Sequence, residues 1–97
     1  MSDSQKTDQN ISYVWVFNGD KHRFPSGAFT DKQIAEDWIE KNQLTGTLTA
    51  YPINQGVYDW ALEKGYFTPK RDDQKTASFI GNFSSASQPH EHYENDG

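Results

Sequence analysis

A chain of 97 residues with 33% hydrophobic and 14% aromatic residues suits a single domain in which the rings carry much of the burial. The absence of cysteine excludes disulfides, thiolate metal sites and cysteine nucleophiles, and it points to a reducing compartment. The net charge of −5 gathers at the two ends, so residues 11–83 are close to neutral, which argues against a surface that binds nucleic acid by neutralising phosphates.

Residues 1–10 are polar and aperiodic, and read as a disordered lead without the apolar core of a secretory signal. No run approaches the length of a membrane span, so the expectation is a cytoplasmic protein without membrane contacts. Ser12–Asn18 is the most apolar stretch and the first strand. Tyr13, Trp15 and Phe17 fall on one side of it, Val14 and Val16 on the other. Apolar groups on both sides predict a strand near the middle of a sheet and covered on both faces. Asn18-Gly19-Asp20 is a turn signal, and Phe24–Phe29 returns as an antiparallel strand. Pro25 and Gly27 place that strand at an edge.

Thr30 and Gln33 have the spacing of a capping box. The helix behind them carries the stripe Ile34, Ala35, Trp38 and Ile39, with Glu36, Asp37, Glu40 and Lys41 pointing away and Asn42 as its stop. Leu44–Tyr51 is a third strand, with Leu44, Gly46, Leu48 and Ala50 on one face and Thr45, Thr47, Thr49 and Tyr51 on the other. Pro52 ends it. Asn54 is placed to cap a second helix, Gln55–Lys64, that buries Val57, Tyr58, Ala61 and Leu62 with Trp60 at the boundary and Gly65 beyond its end. Thr68–Thr76 reads as a charged loop and Ala77–Phe83 as a fourth strand. From Ser84 the chain is Ser-rich and then acidic. The expected organisation is a lead (1–10), one α+β domain (11–83) and a tail (84–97), the domain being an antiparallel sheet of three to four strands with two helices packed against it.

No nucleophile elbow or Gly-rich phosphate loop is present. Glu36, Asp37 and Glu40 read as a solvated helix face rather than a general acid/base pair. The expectation is therefore a protein without catalysis or cofactor. Two constellations remain. Tyr58, Asp59 and Trp60, near Tyr51 and Asn54, have the composition of a binding hot spot, although the rings serve equally as core. His90-x-His92 places two imidazoles on one face of an extended chain, with Glu91, Glu94 or Asp96 as oxygen donors nearby; a solvated pair is the plainer reading.

Three segments stand together: Val14-Trp15-Val16-Phe17-Asn18-Gly19; Leu44–Pro52 (Leu-Thr-Gly-Thr-Leu-Thr-Ala-Tyr-Pro) followed by Gly56-Val57-Tyr58-Asp59; and His90-Glu91-His92-Tyr93-Glu94-Asn95-Asp96-Gly97. In this the chain resembles a family of short, uncharacterised bacterial proteins that open on a Val-Trp-Val-Phe-type strand and close on a His-x-His-x-x-x-Asp-Gly-type tail. The resemblance covers most of residues 13–97 and implies no activity, but it gives the histidine pair more weight. In size and acidity the chain is also similar to immunity proteins that neutralise bacterial toxins. Together these readings predict a non-catalytic binding module of the immunity type, with Tyr58, Asp59, Trp60, Glu91, Glu94 and Asp96 as contacts to a protein partner, possible basic toxin domains included. The alternative is a small metal- or ligand-binding protein that uses His90, His92 and Asp96.

Overall fold

Residues 13–95 are described by a computed structural model. Strand β1 (Tyr13–Gly19) lies inside the sheet, between β2 (Pro25–Phe29) and β3 (Gly46–Pro52). Helix α1 (Lys32–Lys41) joins β2 to β3, and α2 (Val57–Lys64) follows β3. A 3-10 turn (Asp72–Lys75) and the short helix α3 (Ala77–Gly81) lead to β4 (His90–Tyr93). All pairings are antiparallel, in the order β2-β1-β3-β4. The fold class is α+β, as the segregated hairpin and helix signals imply.

The register puts Trp15 beside Ala50 and Phe17 beside Leu48. Phe17, Leu48, Ala35 and Ile39 form the buried core, and Trp15, Phe29, Trp38, Leu44 and Tyr93 close its margin. Trp38 meets Phe17 edge-on with centroids 5.7 Å apart, the arrangement ring quadrupoles favour. Gly19 pairs with Gly46 at the end of the β1–β3 ladder. A Cβ at Gly46 would run into the Asn18 carbonyl and the Phe17 ring. The close approach of these strands therefore requires glycine there. In β2 the register slips at Ser26, so that Asn18 faces Pro25; a proline and a bulge mark this strand as an edge.

Helix α1 is capped one residue later than Thr30. The Asp31 carboxylate accepts from the Gln33 amide at 2.8 Å and the Ile34 amide at 3.3 Å. Its negative charge also complements the helix N-terminus, which a threonine hydroxyl does not. At the other end Asn42 is the cap, Gln43 adopts φ 52°, and Leu44 N–H reaches the Ile39 carbonyl at 3.0 Å. Leu44 and Ile39 then share the core, as in a Schellman ending. Ile34 lies outside the buried stripe and is 57% exposed. The inner face is centred on Ala35 and Ile39, which turns Glu36 towards β4 instead of away from the sheet.

Helix α2 starts at Val57 with Gly56 as its cap, while Asn54 sits in the preceding turn at φ 63°. Gly65 takes the expected left-handed position, φ 79°. Trp60 is buried and donates from Nε1 to the Tyr13 hydroxyl at 3.3 Å. Leu62 stays partly exposed. Tyr58 belongs to a second aromatic cluster with Phe67, Phe79 and Phe83, whose centroids lie 4.9–6.2 Å apart.

This cluster explains why the segment expected to be the fourth strand is helical. The Thr76 hydroxyl caps α3 by accepting from the Phe79 amide at 3.2 Å, and Phe79 and Phe83, four residues apart, turn to the same neighbours. The fourth strand is instead His90–Tyr93, within the segment read as tail, paired along β3 from Gly46 to Thr49. The lead (residues 1–10) and Asp96 lie outside the described residues.

Candidate binding surface on the open face of the sheet

Helix α1 packs on the Tyr13–Trp15–Phe17 side of β1, and α2 reaches that side through Trp60. The other side is different. Strand alternation and register place Val14, Val16 and Asn18 of β1 beside Tyr51, Thr49 and Thr47 of β3. Thr49 and Thr47 in turn face His90 and His92 of β4, and Val16 faces Ala28 of β2. None of these side chains is buried: Val14, Val16, Thr47, Thr49 and Tyr51 are half-buried, and Ala28, His90 and His92 are exposed. Among the described residues the expectation that β1 is covered on both sides is not met. β1 is central within its sheet, yet no described element buries its valine face. Valines on a flat, neighbour-filled sheet surface lose part of their exposure to adjacent strands without any covering layer.

β4 forms one end of this face and is pinned to α1 from behind. The Tyr93 hydroxyl donates to Glu36 Oε2 at 2.7 Å. Burial, and then the Glu36 carboxylate, hold the Tyr93 phenol well above its ordinary pKa. One pair along, Lys32 Nζ donates to Glu91 Oε2 at 2.9 Å and lies 5.3 Å from the centre of the Trp15 ring. That hydrogen bond raises the Lys32 pKa and lowers that of Glu91. The approach to β4 is set by Gln88, which is 2% exposed. Its side chain donates to the Ala50 carbonyl at 3.0 Å and accepts from the Ser85 amide at 2.9 Å. Asn95 closes the far end by donating to the Leu44 carbonyl at 2.7 Å.

The residues singled out from sequence separate under this geometry. Tyr58 and Trp60 are 6% and 4% exposed, so their rings are core and offer no contact surface. The core role wins because both rings find apolar neighbours and a partner for their polar atom, the Tyr58 hydroxyl donating to the Gln74 carbonyl at 2.9 Å. Asp59 is exposed in the first turn of α2. Glu91 is occupied by Lys32 on the helix side of the sheet. Glu94 lies at the lip of a depression of about 300 Å³ shared with Asp20, Thr47 and His92. His90 and His92 stand together on the open face with ring centroids 5.2 Å apart. Among the described residues no group of three or more His, Cys, Asp or Glu side chains is arranged to hold a metal ion.

A larger open cleft of about 710 Å³ lies at the β1–β2 turn, between Gly19, Asp20, His22 and Ser26 on one wall and Trp38, Asn42, Leu44 and Thr45 on the other. Sequence reasoning did not assemble this group, since its members come from four separate stretches. It also missed Lys32, Glu36 and Gln88 as the residues that place β4. Their partners lie 38 to 59 positions away, and no local pattern announces them.

The fold and the surface define a class: a small α+β domain with a four-stranded antiparallel sheet that has helices on one face and, among the described residues, no covering element on the other. The chain belongs to the family described as "Domain of unknown function (DUF7710)", which it matches over residues 14–97. That span includes β4, so the strand is part of the family's common extent. Searches of curated proteins and of solved structures return no match. Among the described residues no helix is long and apolar enough to cross a membrane.

Proposed function

We propose that this chain is a non-catalytic binding module that docks a protein partner on the open face of its sheet. The observation that supports this reading is the strip Val14, Val16, Ala28 and Tyr51, which none of the described residues buries, bordered by Thr47, Thr49, His90 and His92. Apolar side chains on a central strand are unusual surface material unless something is to cover them. Threonine and histidine around them supply hydrogen-bonding groups of the kind found at interface rims. The 14 acidic against nine basic residues favour a basic partner and an association that weakens with salt. An immunity-type role, in which the partner is a bacterial toxin domain, fits this size and charge.

The test uses tagged full-length protein in a pull-down at low and high salt, beside a Val16→Lys variant shown by circular dichroism to be folded. One partner held in near-equal amount by the natural chain, released by salt and lost with Val16→Lys, is the expected result. No partner at either salt, or a partner held equally well by Val16→Lys, overturns the reading.

A further inference from the structure

We infer that His90 and His92 form a two-point chelate for a late first-row divalent ion, Cu²⁺, Ni²⁺ or Zn²⁺, on the open face of the sheet. This inference stands independently of the docking proposal. A metal ligand needs a free ring nitrogen, and the structure settles which nitrogen that is for His90. Its Nδ1 lies 2.7 Å from the Gln88 carbonyl. A carbonyl only accepts, so Nδ1 carries the proton and Nε2 keeps its lone pair. Carbonyl support of the far nitrogen is the usual second contact of a ligating histidine, fixing both tautomer and ring direction. The carbonyl itself is held in place by the buried Gln88 side chain, anchored on Ala50 and Ser85. For His92 the Thr47 hydroxyl lies 3.3 Å from Nδ1; a hydroxyl both donates and accepts, and in the tautomer where it accepts from Nδ1–H the lone pair is again on Nε2.

The spacing fits zinc in particular, whose preferred geometry is tetrahedral. A zinc–nitrogen bond of about 2.05 Å, extended to the ring centre, puts each imidazole centroid about 3.2 Å from the ion, and two such rings at the tetrahedral angle have centroids about 5.2 Å apart. The observed separation is 5.2 Å. The rings stand nearly perpendicular; with His90 held on the Gln88 carbonyl, adjustment towards a shared ion falls to the His92 ring, whose terminal torsion is soft. The ladder to β3 keeps the two Cβ atoms on one face, so the pair is preorganised. With no third His, Cys, Asp or Glu joined to them among the described residues, the remaining positions on the ion belong to water or to an incoming ligand. Imidazole donors select copper, nickel and zinc over magnesium and calcium.

The test is titration of untagged full-length protein with NiCl₂ and with ZnCl₂ by calorimetry. Histidine side-chain nitrogens are followed by long-range ¹H–¹⁵N spectra. Expected are one ion per chain, an affinity at least about tenfold weaker in His90→Gln and in His92→Gln, no binding in the double variant, and no response to MgCl₂. In the spectra Nε2 of both residues moves while His22 does not. The single variants change exposed side chains, so a folding defect in the double variant leaves the comparison intact. Equal affinity in the natural chain and the single variants, or a shift centred on His22, overturns the inference.

Discussion

Replacing Tyr93 by Phe removes one oxygen from the end of β4 and nothing else. That oxygen donates to Glu36 at 2.7 Å. A hydrogen bond to a charged acceptor contributes about 1.5–3 kcal/mol when buried, but both residues here are half-buried and water can replace the lost donor. A loss of about 1 kcal/mol follows, which in a domain of this size lowers the Tm by about 4–8 °C. The measurement is thermal unfolding by circular dichroism of the natural chain, Tyr93→Phe, Glu36→Gln and the double variant. A coupling energy of at least about 0.5 kcal/mol between the two sites is expected.

The alkaline limb adds a second readout. The folded state holds the Tyr93 proton above its ordinary pKa of 10.0. The associated stability is therefore fully present below pH 10 and is lost as pH rises from there towards the folded value. Tyr93→Phe removes that part of the alkaline loss. A Tm within 1 °C of the natural chain (about the error of the method), together with zero coupling, would refute the reasoning and strike the Tyr93–Glu36 bond from the attachments of β4.

Two further substitutions test the local structure. Asp31→Ala costs about 1 kcal/mol in urea unfolding, whereas Thr30→Ala is nearly neutral; the reverse order would place the cap of α1 on the threonine. Gly46→Ala pushes a methyl group into the Asn18 carbonyl and the Phe17 ring. Because backbone cannot swing aside as a flexible side chain can, a loss of at least about 2 kcal/mol is expected, and a loss under about 0.5 kcal/mol would mean that the β1–β3 pair is looser than its register implies.

Much of the architecture is readable where spacing admits one answer. The alternation in Tyr13–Phe17, the α1 stripe and the threonine alternation of β3 each specify an element, and Gly65 marks the end of α2; Asn18 and Gly19 still belong to β1, and the turn comes just after them, at Asp20 and Lys21. Reading fails where spacing is ambiguous. Phe79 and Phe83 are four apart, which is one helical turn and also an even number of strand positions. Only the nearby Tyr58 and Phe67 decide for the helix. β4 reads as tail because His-Glu-His-Tyr is polar, and its helix-side residues meet charged and aromatic partners on α1 that are distant in sequence. Ile34 misleads in the opposite sense: an apolar residue on a helix flank carries no obligation to be buried.

Of the candidate site, the histidine pair is legible from its i, i+2 spacing. The Gln88 carbonyl that orients His90 is not, because nothing in the sequence predicts that loop geometry. Tyr58 and Trp60 show the limit of arguing from composition, since the same rings make a hot spot or a core and only burial distinguishes them.

The rims of the sheet carry a consequence for how these molecules meet one another. An exposed strand edge invites a second chain to continue the ladder, the first step towards runaway stacking. Here one rim begins with Pro25, which has no amide proton to give, and is broken at Ser26 by the slipped register. The other rim is only four residues long. A strand approaching from either side finds too few properly spaced groups to zip onto. The edges therefore resist polymerisation even with valines on the sheet surface, and a substitution that restored regular pairing at Pro25 and Ser26 would remove that protection.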